Sequence, residues 1–417
     1  MLLDIYQSPR VNKSKVYELT WMNPMGTVLD TLDIEEHRRK CKIVSQPISE
    51  RPMRTFEPTM VEEIDKFIGN LLQASRRAEP VNMTVHCRNL GGDIVGQLAL
   101  RYPLNLQSDD TNHWLFPGLN IVTYRVNVYM QMPSLYTIDP LLKLLVRKQR
   151  EKYINITRKM ISTCLNLPRD AKYDLYSFAI DHMKVGTTLR NSELWAEAFF
   201  FLTAGGTTPS TVAEEIRSTF DSPDEIRMGD KLRSCEYLHA CIDETLRIAT
   251  PNTSILWREQ LNADENGQKF NSPLTVDGNV MPPNTLVGVS LYSIHHNEEY
   301  FPDPWQFKPE RWLGKAKSQE GGDANGADKA FAPFVLGSRS CTGRAVAYLE
   351  LSLAIAKTLW HFDFESAPGN LGLVGGGQEG RTDGRGRPDE YQIYDTFTST
   401  HDGPYLLFWE RDGSAQI

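Results

Sequence analysis

Residues 334–350 read Phe-Val-Leu-Gly-Ser-Arg-Ser-Cys-Thr-Gly-Arg-Ala-Val-Ala-Tyr-Leu-Glu, the pattern F-x-x-G-x-R-x-C-x-G running into a helix. A sulfur binds a metal as the thiolate, and an unperturbed cysteine has a pKa of about 8.5. A loop that feeds a helix N-terminus offers free backbone N–H groups and the positive end of a dipole, and both stabilise a negative sulfur. Cys341 stands at that point. Gly337 permits a left-handed turn before it. Gly343 lets a flat macrocycle approach the backbone, and Arg339 is placed to pair with a carboxylate at its edge. Phe334 can shield the sulfur from water. A lone cysteine in a glycine-bounded turn would read as a buried free thiol; the accompanying Phe, Gly, Arg and Gly make it an iron ligand instead.

Behind the loop, Val346, Leu349, Leu353, Ala356 and Trp360 mark one apolar helical face. A clear stripe over residues 57–75 (Met60, Ile64, Phe67, Ile68, Leu71, Leu72) predicts another helix. Residues 141–166 predict a helix with a basic outer face. Residues 192–204 predict a very apolar one, buried in the protein centre. Residues 233–248 predict a helix stopped by Pro251. On that helix Glu244 and Arg247 share a face, which by itself fits a solvated surface pair equally well. Residues 284–293 read as a buried strand. Residues 314–329 and 366–388 are glycine-rich and read as mobile loops. Tyr391 to Trp409 reads as a hairpin about Asp402-Gly403-Pro404. The reading is therefore mainly α with small β-sheets, one domain over residues 1–417.

The chain has 417 residues, a net charge of −8, 40% hydrophobic and 24% charged residues. The acidic balance argues against nucleic acid as a partner. Six cysteines without a C-x-x-C give neither a zinc site nor a disulfide framework. Four N-x-S/T sequons carry little weight without a secretion signal. No stretch approaches the roughly 20 apolar residues of a membrane span, and no flavin or nicotinamide fingerprint is present.

The Cys341 loop resembles the cysteine-ligand loop of the cytochrome P-450 family, and other segments extend the resemblance. It implies haem b bound through Cys341. Glu244-Thr245-Leu246-Arg247 together with Phe307-Lys308-Pro309-Glu310-Arg311-Trp312 resembles the family's two structural motifs, which implies a Glu244, Arg247 and Arg311 triad beneath the loop. Ser293 to Pro304 resembles the family stretch between them. Arg258 matches a propionate contact, though a surface arginine would read the same. Glu35 to Lys42 resembles the early helix that holds propionates. There His37 fits and Cys41 replaces the expected arginine, with Arg38 or Lys42 as compensating charges; an exposed basic face is the alternative.

Ala204-Gly205-Gly206-Thr207-Thr208-Pro209 resembles the family's oxygen-binding motif. Thr208 aligns with the threonine that donates a hydrogen bond at the oxygen site. Thr207 stands where an acid is usual. Pro209 should kink or end the helix, and Thr208 also suits a helix cap. Substrate is expected near Phe200, Ala204 and Ile255. The stretch Ile121–Leu145 (Tyr124, Val128, Met130, Met132, Leu135) either lines an access route or packs as ordinary helix.

Against the family pattern two segments are missing: the membrane anchor with the first helix and strands, and part of the central helix between Thr208 and Glu244. The strand at 284–293 should then expose an edge. The resemblance implies an oxygen-dependent monooxygenase of fungal secondary metabolism. It would act on a lipophilic small molecule with O2 and electrons from an NADPH-dependent flavoprotein reductase, in the cytoplasm or peripheral to the endoplasmic reticulum. The alternatives are a degenerate haem-binding relative, or the same scaffold running an oxygen-independent isomerisation or dehydration.

Overall fold

The computed structural model describes residues 1–20, 27–46, 48–166, 208–261, 270, 272–282, 284–314, 327–388 and 390–411. The first part holds α1 (Leu2–Tyr6), β1 (Val11–Lys13), α2 (Ile34–Ser45), α3 (Glu50–Arg76), β2 (Val81–Asn82) and α4 (Met83–Leu100). Then come α5 (Leu115–Gln131), α6 (Asp139–Leu145), α7 (Arg147–Asn166), α8 (Thr208–Thr219), α9 (Asp230–Arg233) and α10 (Glu236–Ile248). The last part has β3 (Arg258–Gln260), β4 (Leu274–Val276), β5 (Asn279–Met281), β6 (Leu286–Val287) and α11 (Leu291–His295). It ends with α12 (Ala327–Ala330), α13 (Arg344–His361), β7 (Phe362–Ser366) and β8 (Tyr405–Glu410).

The apolar stripe of 57–75 belongs to α3, which starts earlier, at Glu50, and carries Pro58 inside it. The stripe residues Met60, Ile64, Phe67, Ile68 and Leu71 are buried against α4, α13 and β8. They form one core with Val212 and Ile216 of α8, Leu238 and Leu246 of α10, and Leu353, Ala356 and Leu359 of α13. Phe334 belongs to this core, and Cys341 packs at its margin. A second core gathers Tyr6, Tyr17, Leu256, Val287, Val289, Phe301 and Trp312, with Val335 and Leu336 against it. The ligand loop therefore runs along the seam between two cores.

The sheets are small and antiparallel. One has the order β1-β3-β6, another β2-β8-β7, and β4 pairs with β5 as a hairpin. β6 is an edge, as expected for this segment, and Leu286 is exposed there. The strand itself is shorter than 284–293. Gly288 passes so close to Ile255 that an added Cβ would lie 2.3 Å from its Cγ2, and the chain then turns into α11, capped by Ser290.

Other expectations need correction. The 141–166 helix is two helices, because Val146 leaves helical geometry between α6 and α7. The 233–248 helix begins as the separate short α9 before α10. The hairpin about Asp402-Gly403-Pro404 is absent: β8 pairs with β2 and β7, and Tyr394 bridges Thr400 instead. Residues 366–388 are packed turns. Some of their glycines are needed because backbones nearly touch: an added Cβ at Gly375 would lie 2.0 Å from the Asp402 carbonyl, and one at Gly377 2.0 Å from that of Arg387. The predicted helix 192–204 and most of 314–329 lie outside the described residues. Among the described residues no helix is long and apolar enough to cross a membrane.

Candidate functional site

The loop before α13 closes on itself. The Val335 N–H donates to the Ala332 carbonyl at 2.9 Å, and the Cys341 N–H donates to the Phe334 carbonyl at 2.8 Å. Val335 is held at φ 62, a strained position for a β-branched residue. Gly337 has φ 76, and a Cβ there would meet the Tyr6 carbonyl of α1 at 2.1 Å. Glycine at 337 is thus required twice, by the turn and by the neighbour. Residues Gly337–Arg339 form a single 3-10 turn.

Gly343 caps α13, and a Cβ there would meet only the Cys341 sulfur, at 3.7 Å. The N–H groups of Gly343 and Arg344 donate to that sulfur and lower its pKa, yet burial outweighs them and the thiol is pushed up. The helix mouth alone does not hold Cys341 ionised; a bound metal would do so. Phe334 is buried beside Tyr348, ring centroids 5.6 Å apart.

Glu244 and Arg247 on α10 are both fully buried. Arg247 donates to the two Glu244 carboxylate oxygens from Nε and Nη2, each at 2.8 Å, and to the His295 carbonyl from Nη1 at 2.7 Å. Arg311 Nε donates to Glu244 at 3.1 Å, Trp312 Nε1 at 3.0 Å and the Lys308 N–H at 2.9 Å. This is the triad geometry, and it is no surface pair. It reaches the ligand loop through His295, whose Nε2 accepts the Ala332 N–H at 3.1 Å. Burial holds His295 at a pKa of about 3, so its ring is neutral and able to accept.

A second charged cluster lies on the other side of the loop. Arg339 donates to Asn12 Oδ1 at 2.6 Å, to the Leu32 carbonyl at 2.9 Å and to the Thr31 carbonyl at 3.0 Å. Arg258, buried on β3, donates to the Tyr17 hydroxyl at 3.3 Å and to the carbonyls of Leu256 and Trp257. Lys13 on β1 faces Arg258 directly across the strands. Burial, then the charge of Arg258, brings Arg339 down to about 10. Burial, then Lys13 and Arg339, brings the buried His37 of α2 down to about 3. Among the described residues no carboxylate forms an ion pair with Lys13, Arg258 or Arg339; Asp30 and Asp33 only contribute at longer range. Like charges facing each other across a sheet are destabilising. A largely buried cationic set of this kind fits an anion, and the two carboxylates of a haem would suit it.

The sequence model of the family described as "Cytochrome P450" matches residues 5–214 and 207–371. The chain belongs to the cytochrome P-450 family. A cytochrome P-450 monooxygenase of Gibberella zeae is 30% identical over 99% of this chain and 98% of its own length. The cytochrome P-450 monooxygenase apf7 of Gibberella fujikuroi is 29% identical over 97% of the chain and 82% of its own. The cytochrome P-450 monooxygenase poxM of Penicillium oxalicum is 30% identical over 97% and 78%. The protein is thus an oxidoreductase of the monooxygenase kind, from a family whose cofactor is haem iron. The family match falls into two pieces that meet at residues 207–214, where the central segment looked short.

Within this P-450 the other expected site residues are scattered or undescribed. Phe200, Ala204 and Thr207 lie outside the described residues, and Thr208 is described only as the backbone start of α8. Ile255 packs on Gly288, and its carbonyl accepts from Gln131 of α5 at 3.3 Å. Along the proposed access route Met130 is buried, whereas Tyr124, Met132 and Leu135 are exposed. The compensating cations named for Cys41 are misplaced: Arg38 points outward to Glu35, and Lys42 is exposed. Near Cys41 the buried lysines among the described residues are Lys40, which donates to Thr31 Oγ1 at 3.0 Å, and Lys13. Lys13 and the His295 link escaped the sequence reading. The helical phase of α2, with His37, Lys40 and Val44 buried, would have indicated Lys40; no local signal indicates Lys13.

Proposed function

We propose that Cys341 holds haem b as its thiolate ligand and that this P-450 oxidises a lipophilic small molecule of fungal secondary metabolism. One observation carries the reading: a half-buried sulfur at the mouth of α13 with the N–H groups of Gly343 and Arg344 on it. Arg258, Arg339 and His37 hold the propionates. Phe334 keeps water from the sulfur. The triad of Glu244, Arg247 and Arg311, through His295, fixes the loop. Bound haem would supply oxygen activation, with Cys341 as the residue that donates to its iron. Thr208 supplies a hydroxyl at the oxygen site and Thr207 stands beside it, with substrate near Phe200, Ala204 and Ile255. A flavoprotein reductase delivers NADPH electrons.

The test is turnover with a reductase, NADPH and isotopically labelled O2 over a panel of lipophilic substrates. The reading expects a product carrying one labelled oxygen atom. NADPH oxidation that yields only peroxide contradicts it and favours the second reading, a haem-binding relative without turnover. That alternative draws on Cys41 and on the family match broken at residues 207–214.

A further inference from the structure

We infer that Lys13 is a third cation for the carboxylate edge of the haem, supplying from β1 the charge that α2 lacks at Cys41. The inference rests on the haem reading above and adds a residue to it. Lys13 lies directly opposite Arg258 in the β1–β3 register, with exposures of 7% and 3%. Its Nζ donates to the Val28 carbonyl at 3.0 Å and to that of Leu29. An ammonium has three donors, so one N–H remains. The same Nζ lies 5.5 Å from the centroid of the Tyr17 ring, and the Tyr17 hydroxyl accepts from Arg258. Tyr17 therefore stands between the two cations and holds both in place.

From α2 the cluster meets His37 and Cys41. The Cys41 sulfur is 3.4 Å from His37 Nε2 and lies in the field of Lys13 and Arg339. An arginine at 41 would bring its charge to this point; a thiol brings none, and burial pushes its pKa further up. The remaining charged groups around the cluster are Lys40, paired at 3.6 Å with Glu36, and the acids Asp30 and Asp33. Asp30 is occupied by the Thr27 N–H and hydroxyl. Asp33 caps α2 through the Glu36 N–H. Neither acid neutralises Lys13. Burial, then the charges of Arg339 and Arg258, pushes the Lys13 pKa well down; a bound anion opposes that and restores the ammonium, and two carboxylates answer to Lys13, Arg258 and Arg339.

The experiment follows haem transfer from the purified holoprotein to excess apomyoglobin, with the haem-to-protein ratio as purified. Lys13→Met should lose haem about tenfold faster, the effect of one charge-assisted hydrogen bond. Lys13→Arg should stay within about twofold, since its charge and donors remain. Adding Cys41→Arg to Lys13→Met should recover most of the loss, which a merely structural role for Lys13 would not produce. Should Lys13→Met fail to fold, Cys41→Arg alone is expected to slow haem loss. A Lys13→Met protein that keeps haem like the wild type, or a Cys41→Arg change without effect in either background, overturns the inference. Wild-type protein purified without haem would instead overturn the haem reading itself.

Discussion

Two largely buried clusters of cations flank the Cys341 loop, and they are wired in opposite ways. On one side Arg247 and Arg311 share the carboxylate of Glu244, and the remaining Arg247 donors end on the carbonyls of His295 and Gln306. On the other side, among the described residues, Lys13, Arg258 and Arg339 donate only to carbonyls, an amide oxygen and the Tyr17 hydroxyl. A buried charge with its counter-charge is architecture; removing one partner strands the other. Buried like charges without a counter-ion make a poor scaffold and a good anion site. Glu350 on α13 shows a third solution. Among the described residues its buried Oε2 has no partner, and burial pushes its pKa well up, which favours the neutral acid over one that needs a cation.

Substitutions sharpen or break this contrast. The largest effect is expected from Arg247→Ala, which leaves Glu244 buried with Arg311 as its one remaining guanidinium. It should cost about 3–5 kcal/mol in urea unfolding; a variant as stable as the wild type would show that the triad is not architecture. His295→Ala should cost about 1–3 kcal/mol by stranding the Ala332 N–H. No loss there would cut the link between the triad and the loop.

Acid probes the same link. The folded pKa of His295, about 3, lies below the unfolded value of about 6.5, so folding binds fewer protons. That contribution is fully present above pH 6.5 and is lost as pH falls towards 3, about 1–2 kcal/mol by pH 5. The wild type should therefore lose more stability than His295→Ala between pH 7 and 5; equal losses would contradict a buried neutral ring. The smallest effect is expected from Glu350→Gln. A raised folded pKa gives stability that is full below about pH 4.5 and declines as pH rises. At pH 8 the variant should match or exceed the wild type, with a change within about 1 kcal/mol. A large destabilisation would mean that the carboxyl is paired after all.

What the sequence revealed divides along the same line. The loop was legible because it is a short motif whose residue types are forced by local chemistry, such as the positive φ at Gly337, whereas Glu244 and Arg247 read locally as a surface pair and became a triad only through the family resemblance. The Lys13–Arg258 pairing was not legible, because it depends on the register of two three-residue strands from distant parts of the chain. Arg38 and Lys42 were misread through helical phase; the buried side of α2 runs through His37, Lys40 and Val44. The Asp402-Gly403-Pro404 turn signal was real, but the strand after it pairs with β7, a distant partner that no local pattern names. The glycines of 366–388 looked loose because glycine marks both freedom and close packing; Gly375 and Gly377 mark packing, while Gly369, Gly380 and Gly384 serve open turns at positive φ.

The central claim is the sulfur–iron bond at Cys341. Its most direct test is the reduced carbon-monoxide difference spectrum of the purified protein beside that of Cys341→Ala. The wild type is expected to show the band of a thiolate-ligated haem, and the variant to lose it. A thiolate band that persists in Cys341→Ala, or never appears in the wild type, would contradict the account.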